Sequence, residues 1–189
     1  MADGPRERGR QLFTIPNLLS AFRVLLVPLI VWLYCGRQDY PLTAWVLALS
    51  GATDVADGWI ARRFRMVSDL GKVLDPIADK LTQTAALVCL LTRFRAVWWL
   101  LGVLVVKETV MAVMGLIVIR RTGAVYSAAW HGKFAACVLY AVIFTHIVWF
   151  DIPPAVSGAL VLAGVASILL SLTLYAAQNL RRIREAGRQ

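Results

Sequence analysis

The chain has 189 residues, 59% of them hydrophobic and 16% charged, with a formal net charge of +9. A soluble domain carries about 25% charged residues. The apolar residues here form long runs rather than amphipathic stripes, which excludes an ordinary soluble fold and points to an α-helical integral membrane protein. Runs such as Val24 to Leu33 do not alternate in polarity, so a closed β-barrel, the other architecture that satisfies its backbone in lipid, is excluded too.

Taken in chain order, residues 1–13 form a polar N-terminus that mixes Asp3 and Glu7 with Arg6, Arg8 and Arg10. The first apolar run is long enough to remain as a spanning helix, so no cleavable signal is expected. Six spans are predicted, at 15–35, 41–64, 72–92, 96–120, 125–149 and 154–178, followed by a basic tail at 179–189. Pro41 and the Pro153-Pro154 pair stand where new helices begin, a position that tolerates proline. One membrane domain over 1–189 accommodates all of this. Cys35, Cys89 and Cys137 lack metal-ligand spacing and are expected to be small buried apolar residues, their odd number arguing against a disulfide framework.

The basic residues set an orientation. One set of ends holds Arg6, Arg8 and Arg10, then Arg62, Arg63, Arg65 and Lys72, then Arg120 and Arg121, and finally Arg181, Arg182, Arg184 and Arg188; the opposite loops hold Arg37, Arg93 and Arg95. With an even number of spans, the positive-inside rule places both termini in the cytoplasm. Most of these arginines are expected to serve topology and contact with anionic lipid headgroups rather than nucleic acid. Trp98, Trp99 and Trp149 fall near span ends, where aromatic belts form. The cell (plasma or inner) membrane is the expected location.

Spans two and three are informative because their apolar cores are short. Leu42 to Thr53 is twelve residues, as is Leu81 to Thr92. Each would make about 18 Å of helix against a hydrocarbon core of about 30 Å. To cross, the second helix must continue through Asp54 and Asp57, and the third must begin back at Asp79 and Asp75. Both acidic pairs are thereby placed at the cytoplasmic headgroup boundary, on helices joined by a basic loop at 62–72.

Carboxylates are costly in a bilayer, and four of them beside apolar runs mark a functional site by default. Asp54 and Asp57 are three residues apart, Asp75 and Asp79 four, so each pair shares a helix face. Two such pairs brought together offer hard oxygen ligands suited to Mg²⁺ or Mn²⁺. Metal held there can clamp a diphosphate. Asp79 is placed to accept a proton from an attacking hydroxyl, and Arg62 can fork onto a phosphate. Gly58 leaves room for a ligand against the helix backbone and Gly71 relieves a turn, although helix packing or the turn alone explains each equally well. A different class of function, a divalent-cation carrier, also uses intramembrane acids. It would need polar groups continuing across the bilayer, whereas the far halves of helices two and three are apolar.

The run Asp54-x-x-Asp57-Gly58-x-x-Ala61-Arg62, eight residues, Gly71-x-x-x-Asp75-x-x-x-Asp79 resembles the complete signature of the CDP-alcohol phosphotransferases. The resemblance implies a six-helix membrane enzyme, a homodimer, that uses two divalent cations to transfer a phosphatidyl or similar group from a CDP-linked donor to an alcohol, releasing CMP. It further implies that Asp54, Asp57 and Asp75 bind metal, that Asp79 completes the metal site and acts as general base, and that Gly58, Ala61, Arg62 and Gly71 line the pocket for cytidine and diphosphate. Ile15-Pro16-Asn17-Leu18-Leu19-Ser20 with Phe22-Arg23 resembles the first helix of phosphatidylglycerophosphate synthases, and Leu74 to Lys80 resembles the same enzymes and the cardiolipin synthases of this fold.

Two departures bear on the acceptor. Lys107-Glu108 stands where phosphatidylglycerophosphate synthases have Arg-Glu, and Gly132-Lys133-Phe134-Ala135-Ala136 where they have Gly-Lys-x-Lys-Thr. The expected reaction joins CDP-diacylglycerol to glycerol 3-phosphate; phosphatidylglycerol or inositol phosphate are the alternative acceptors. Glycerol 3-phosphate is a dianion, and Lys133, Arg120 and Arg121 are the candidate cations for it. Lys107 and Glu108 read equally as functional or as a structural ion pair or interfacial anchor, Arg23 is ambiguous between site and scaffold, His131 is a candidate pocket residue or interfacial polar filler, and His146 is expected to have no chemical role.

Overall fold

A computed structural model describes residues 15–64, 69–122, 130–149 and 151–186. These residues form six α-helices and no strand: α1 Ile15–Val31, α2 Tyr40–Phe64, α3 Asp69–Leu91, α4 Val97–Thr122, α5 Trp130–Val148 and α6 Pro154–Ala186. Helix α1 together with the turn that continues it to Arg37, and helices α4, α5 and α6, are long and apolar enough to cross a membrane. Exposed Leu25, Trp45, Leu116 and Leu162 point outward from their helices, as suits a chain whose outer solvent is lipid rather than water.

The acid-bearing helices are continuous, as the short apolar cores require. Helix α2 has 25 residues and α3 has 23, about 37 and 34 Å at 1.5 Å per residue. Asp54 and Asp57 lie inside α2, and Asp75 and Asp79 inside α3. The basic loop expected at 62–72 is shorter than anticipated, because α2 runs on to Phe64 and α3 begins at Asp69; residues 65–68 lie outside the described residues.

The chain divides into two compact units, Met1–Thr92 and Arg93–Gln189. In the first, α1 packs on both α2 and α3. Leu26, Ile30 and Leu33 of the α1 segment, Ala44 and Leu47 of α2, and Ala78, Ala86, Leu87 and Leu90 of α3 are buried. Helix α1 carries Pro28, which donates no helical hydrogen bond, and continues as a π-helical turn over Trp32–Arg37. Gln38 ends it in the left-handed region at φ 55°. The Asp39 side chain then caps α2, accepting from the Leu42 backbone N–H at 3.0 Å, and Pro41 sits in the first turn as expected.

The cysteine expectation needs correction. Cys89 is buried, but Cys35 and Cys137 are exposed, which costs nothing for a small apolar side chain on a lipid-facing helix. The Cys35 and Cys89 sulfurs lie 3.7 Å apart, joining the π-helical turn to the end of α3.

In the second unit, α6 packs on both α4 and α5. Gly164 makes this possible: a Cβ there would stand 2.9 Å from Leu100 Cδ1 and 3.6 Å from Val142 Cγ2. His146, buried against the start of α6, donates from Nδ1 to the Val142 carbonyl at 2.8 Å and accepts at Nε2 from Ser157 Oγ at 2.9 Å. That pairing gives it a structural role. Arg93 Nη2 donates to Asp151 Oδ1 at 2.9 Å, and Lys107 Nζ pairs with the neighbouring Glu108 Oε1 at 2.8 Å. The tail expected at 179–189 is instead helical through Ala186. At 33 residues, or about 50 Å, α6 outruns a hydrocarbon core, and no proline or glycine interrupts its last turns.

Candidate metal and donor site

Three helices build the site in the first unit. On α2, Asp54 and Asp57 lie one turn apart, and Asp75 projects from α3. One carboxylate oxygen from each can be chosen so that all lie within 4.8 Å of one another. Burial differs among them: the Asp57 side chain is 3% exposed, against 45% for Asp54 and 47% for Asp75. The cluster therefore has a floor at Asp57 and an accessible side at the other two.

The third wall is α1, and it supplies the residue that sequence reasoning left undecided. The guanidinium of Arg23, 2% exposed, lies among the three carboxylates. Nη1 donates to Asp54 Oδ1, and Nη2 donates both to Asp75 Oδ1 and to Asp57 Oδ2, the last at 2.6 Å. Ser20, one turn earlier, donates from Oγ to the same Asp57 oxygen at 3.5 Å. Asn17, Ser20 and Arg23 are all buried. Their three-residue spacing in an otherwise apolar helix is the signal that could have assigned Arg23 to the site.

Asp79 stands one turn beyond Asp75 and is not one of the three converging acids; it accepts from Gln83 Nε2 at 3.0 Å. Gln83 is itself buried, so the orientation of Asp79 is supported from within its own helix. Pro76, between the two aspartates, leaves the carbonyl one turn back without its helical partner. Gly58 is half-buried on α2 beside Asp57, and Gly71 is half-buried near the start of α3. Ala61 and Arg62 fall on the last turn of α2, with side chains outside the described residues. Lys133, Arg120 and Arg121 belong to the second unit and are exposed, the arginines in the last turn of α4 and Lys133 in the first turn of α5. His131 is buried, with Nδ1 3.3 Å from Ser171 Oγ.

The donor set fits a divalent cation. Hard carboxylate oxygens suit Mg²⁺ or Mn²⁺, they converge from two helices, and their arrangement already accommodates positive charge in the form of a guanidinium.

Comparison with known proteins gives the family. Residues 13–175 match the model of the CDP-alcohol phosphatidyltransferase family. The chain is 42% identical over 123 residues to a cardiolipin synthase (CMP-forming) of Streptomyces coelicolor, covering 62% of this chain and 57% of that protein. It thus spans little more than half of that relative's length. It is 30% identical over 182 residues to a probable phosphatidylglycerophosphate synthase of Mycobacterium tuberculosis, covering 94% of this chain and 85% of that protein. With a CDP-diacylglycerol–glycerol-3-phosphate 3-phosphatidyltransferase of Bacillus subtilis it shares 31% over 159 residues, 75% of this chain and 81% of that protein. A match over most of its length, covering the aspartate cluster and the helix that supplies Arg23, makes this chain a member of the CDP-alcohol phosphatidyltransferase family of membrane enzymes.

Proposed function

We propose that the protein transfers a phosphatidyl group from CDP-diacylglycerol to glycerol 3-phosphate, giving phosphatidylglycerophosphate and CMP in phospholipid synthesis. The observation that carries this reading is the 94% coverage of the chain by its likeness to a probable phosphatidylglycerophosphate synthase. Asp54, Asp57 and Asp75, with Asp79, would hold two divalent cations, Mg²⁺ or Mn²⁺. Bound there, such ions neutralise the diphosphate and stabilise the departing CMP.

The chain's own residues do the rest. The half-exposed sides of Asp54 and Asp75 admit the donor, while Gly58, Ala61, Arg62 and Gly71 line the place of its cytidine and diphosphate. Asp79 takes the proton of the acceptor hydroxyl. The freed oxygen bonds to the lipid's phosphorus, and the bond from that phosphorus to CMP breaks. Lys133, Arg120 and Arg121 receive the acceptor's phosphate. Six spans with both termini in the cytoplasm put this chemistry at the inner face of the cell membrane, and the enzyme works as a homodimer.

A second reading keeps the chemistry and takes phosphatidylglycerol as acceptor. It is favoured by the higher identity, 42% over 123 residues, to a CMP-forming cardiolipin synthase. Labelled CDP-diacylglycerol and purified protein, tested against a panel of acceptors, separate the two. CMP release with phosphatidylglycerol and none with glycerol 3-phosphate overturns the first.

A further inference from the structure

Arg23 makes its hydrogen bonds to the same three carboxylates that converge as cation ligands. A divalent cation among those three carboxylates would therefore compete with the guanidinium for them. The guanidinium cannot lose its charge, and at 2% exposure it cannot remain buried without an anionic partner. We propose that Arg23 is the resident counter-cation of the aspartate cluster, held on its carboxylates until divalent cations displace it and then turned onto the diphosphate of the CDP-linked donor. This inference rests on the cation site of the preceding reading and adds to it a residue outside the family signature.

Three features support the exchange. Formal charge is the first: three carboxylates and one guanidinium leave two negative charges, which one divalent cation cancels. With two such ions held by these acids and Asp79, and Arg23 still present, the cluster carries one positive charge, which favours the two negative charges of a diphosphate diester. Hydrogen bonding is the second. Arg23 Nε has no partner among the described residues, so the planar fork, which grips phosphate with two parallel N–H bonds, has an N–H still to place. The third is that Asp57 keeps a donor, Ser20 Oγ, when Arg23 leaves, while half-exposed Asp54 and Asp75 give the entering ion a route past the guanidinium.

The test uses the full chain in lipid nanodiscs, with Mn²⁺ alone as the first probe and binding followed by electron paramagnetic resonance of free Mn²⁺. Without donor, Arg23→Gln is expected to bind Mn²⁺ about tenfold or more tightly than the unaltered protein, since it removes a competing charge at contact distance. Arg23→Lys, a point charge without the fork, should fall between them. Both variants should bind CDP-diacylglycerol more weakly once Mn²⁺ is present. In the unaltered protein, labelling of Arg23 by phenylglyoxal, read by peptide mass spectrometry, should rise several-fold on adding Mn²⁺ and fall again on adding CDP-diacylglycerol. This arm stands even where Arg23→Gln does not fold. Unchanged or weaker Mn²⁺ binding in Arg23→Gln, or Arg23 labelling indifferent to Mn²⁺, overturns the proposal while leaving the cation site in place. If Asp57→Asn binds Mn²⁺ as well as the unaltered protein does, the cation site itself is wrong and both readings fall.

Discussion

Arg23 Nη2 stands 2.6 Å from Asp57 Oδ2, with both side chains almost completely buried and their positions 34 apart in sequence. The pair ties α1 to α2 at the floor of the aspartate cluster. A buried ion pair is costly to break, because the partner left behind keeps its charge without compensation. The deepest of the three carboxylates is thus tied to helix α1.

Asp57→Asn removes charge where the cluster is least exposed. It should weaken cation and donor binding together. Loss of residues that merely support metal ligands costs about 10–100-fold, so loss of a ligand should equal or exceed that. The half-saturating Mg²⁺ or Mn²⁺ concentration for CMP release measures it. Chelation by EDTA should abolish turnover in the unaltered protein, with recovery on returning either ion; activity that survives chelation would contradict the metal assignment.

Asp79→Asn should lower kcat by about 10²–10⁴-fold, the range for a general base, and weaken Mn²⁺-dependent binding of CDP-diacylglycerol less than Asp57→Asn does, because Asp79 stands apart from the three converging acids. The Gln83 contact keeps the residue oriented, and an asparagine carbonyl can still accept that bond, so folding should be unaffected. Near-normal CMP release from the variant would remove Asp79 from the base role.

Cys35 and Cys89 report on the packing of α1 against α3. With sulfurs 3.7 Å apart, copper-phenanthroline should join them within one chain when Cys137 is replaced by serine. Peptide mapping without reductant would then show the linked pair, and Cys35→Ser should abolish it. Two freely alkylated thiols after oxidation would mean that the end of α1 does not meet the end of α3.

Gly164→Val should lower thermal stability by about 1–3 kcal/mol, the usual cost of overpacking, because α6 there lies against Leu100 and Val142. Gly164→Ala should cost less, since the closest atom is the mobile end of Leu100. Thermal unfolding in detergent distinguishes the two, and equal melting temperatures for all three proteins would show that the helices do not pack at this glycine.

Much was legible in the chain itself. Hydrocarbon admits few backbone solutions, so long apolar runs specify helices without knowledge of the fold. The two twelve-residue cores required α2 and α3 to extend through their aspartates, and both do. Spacing of three and four residues put each acidic pair on one face, a local property of helix geometry.

Tertiary structure alone decided which side chains meet across helices. Local periodicity says which residues share a face but not how far a helix is rotated toward its neighbour; that rotation follows from the packing of α1 on α2 and α3. So Arg23, ambiguous in sequence, proves to be the partner of acids 31, 34 and 52 residues away. Asp79, inseparable from Asp75 by pattern, is set apart from the converging three and tied to Gln83.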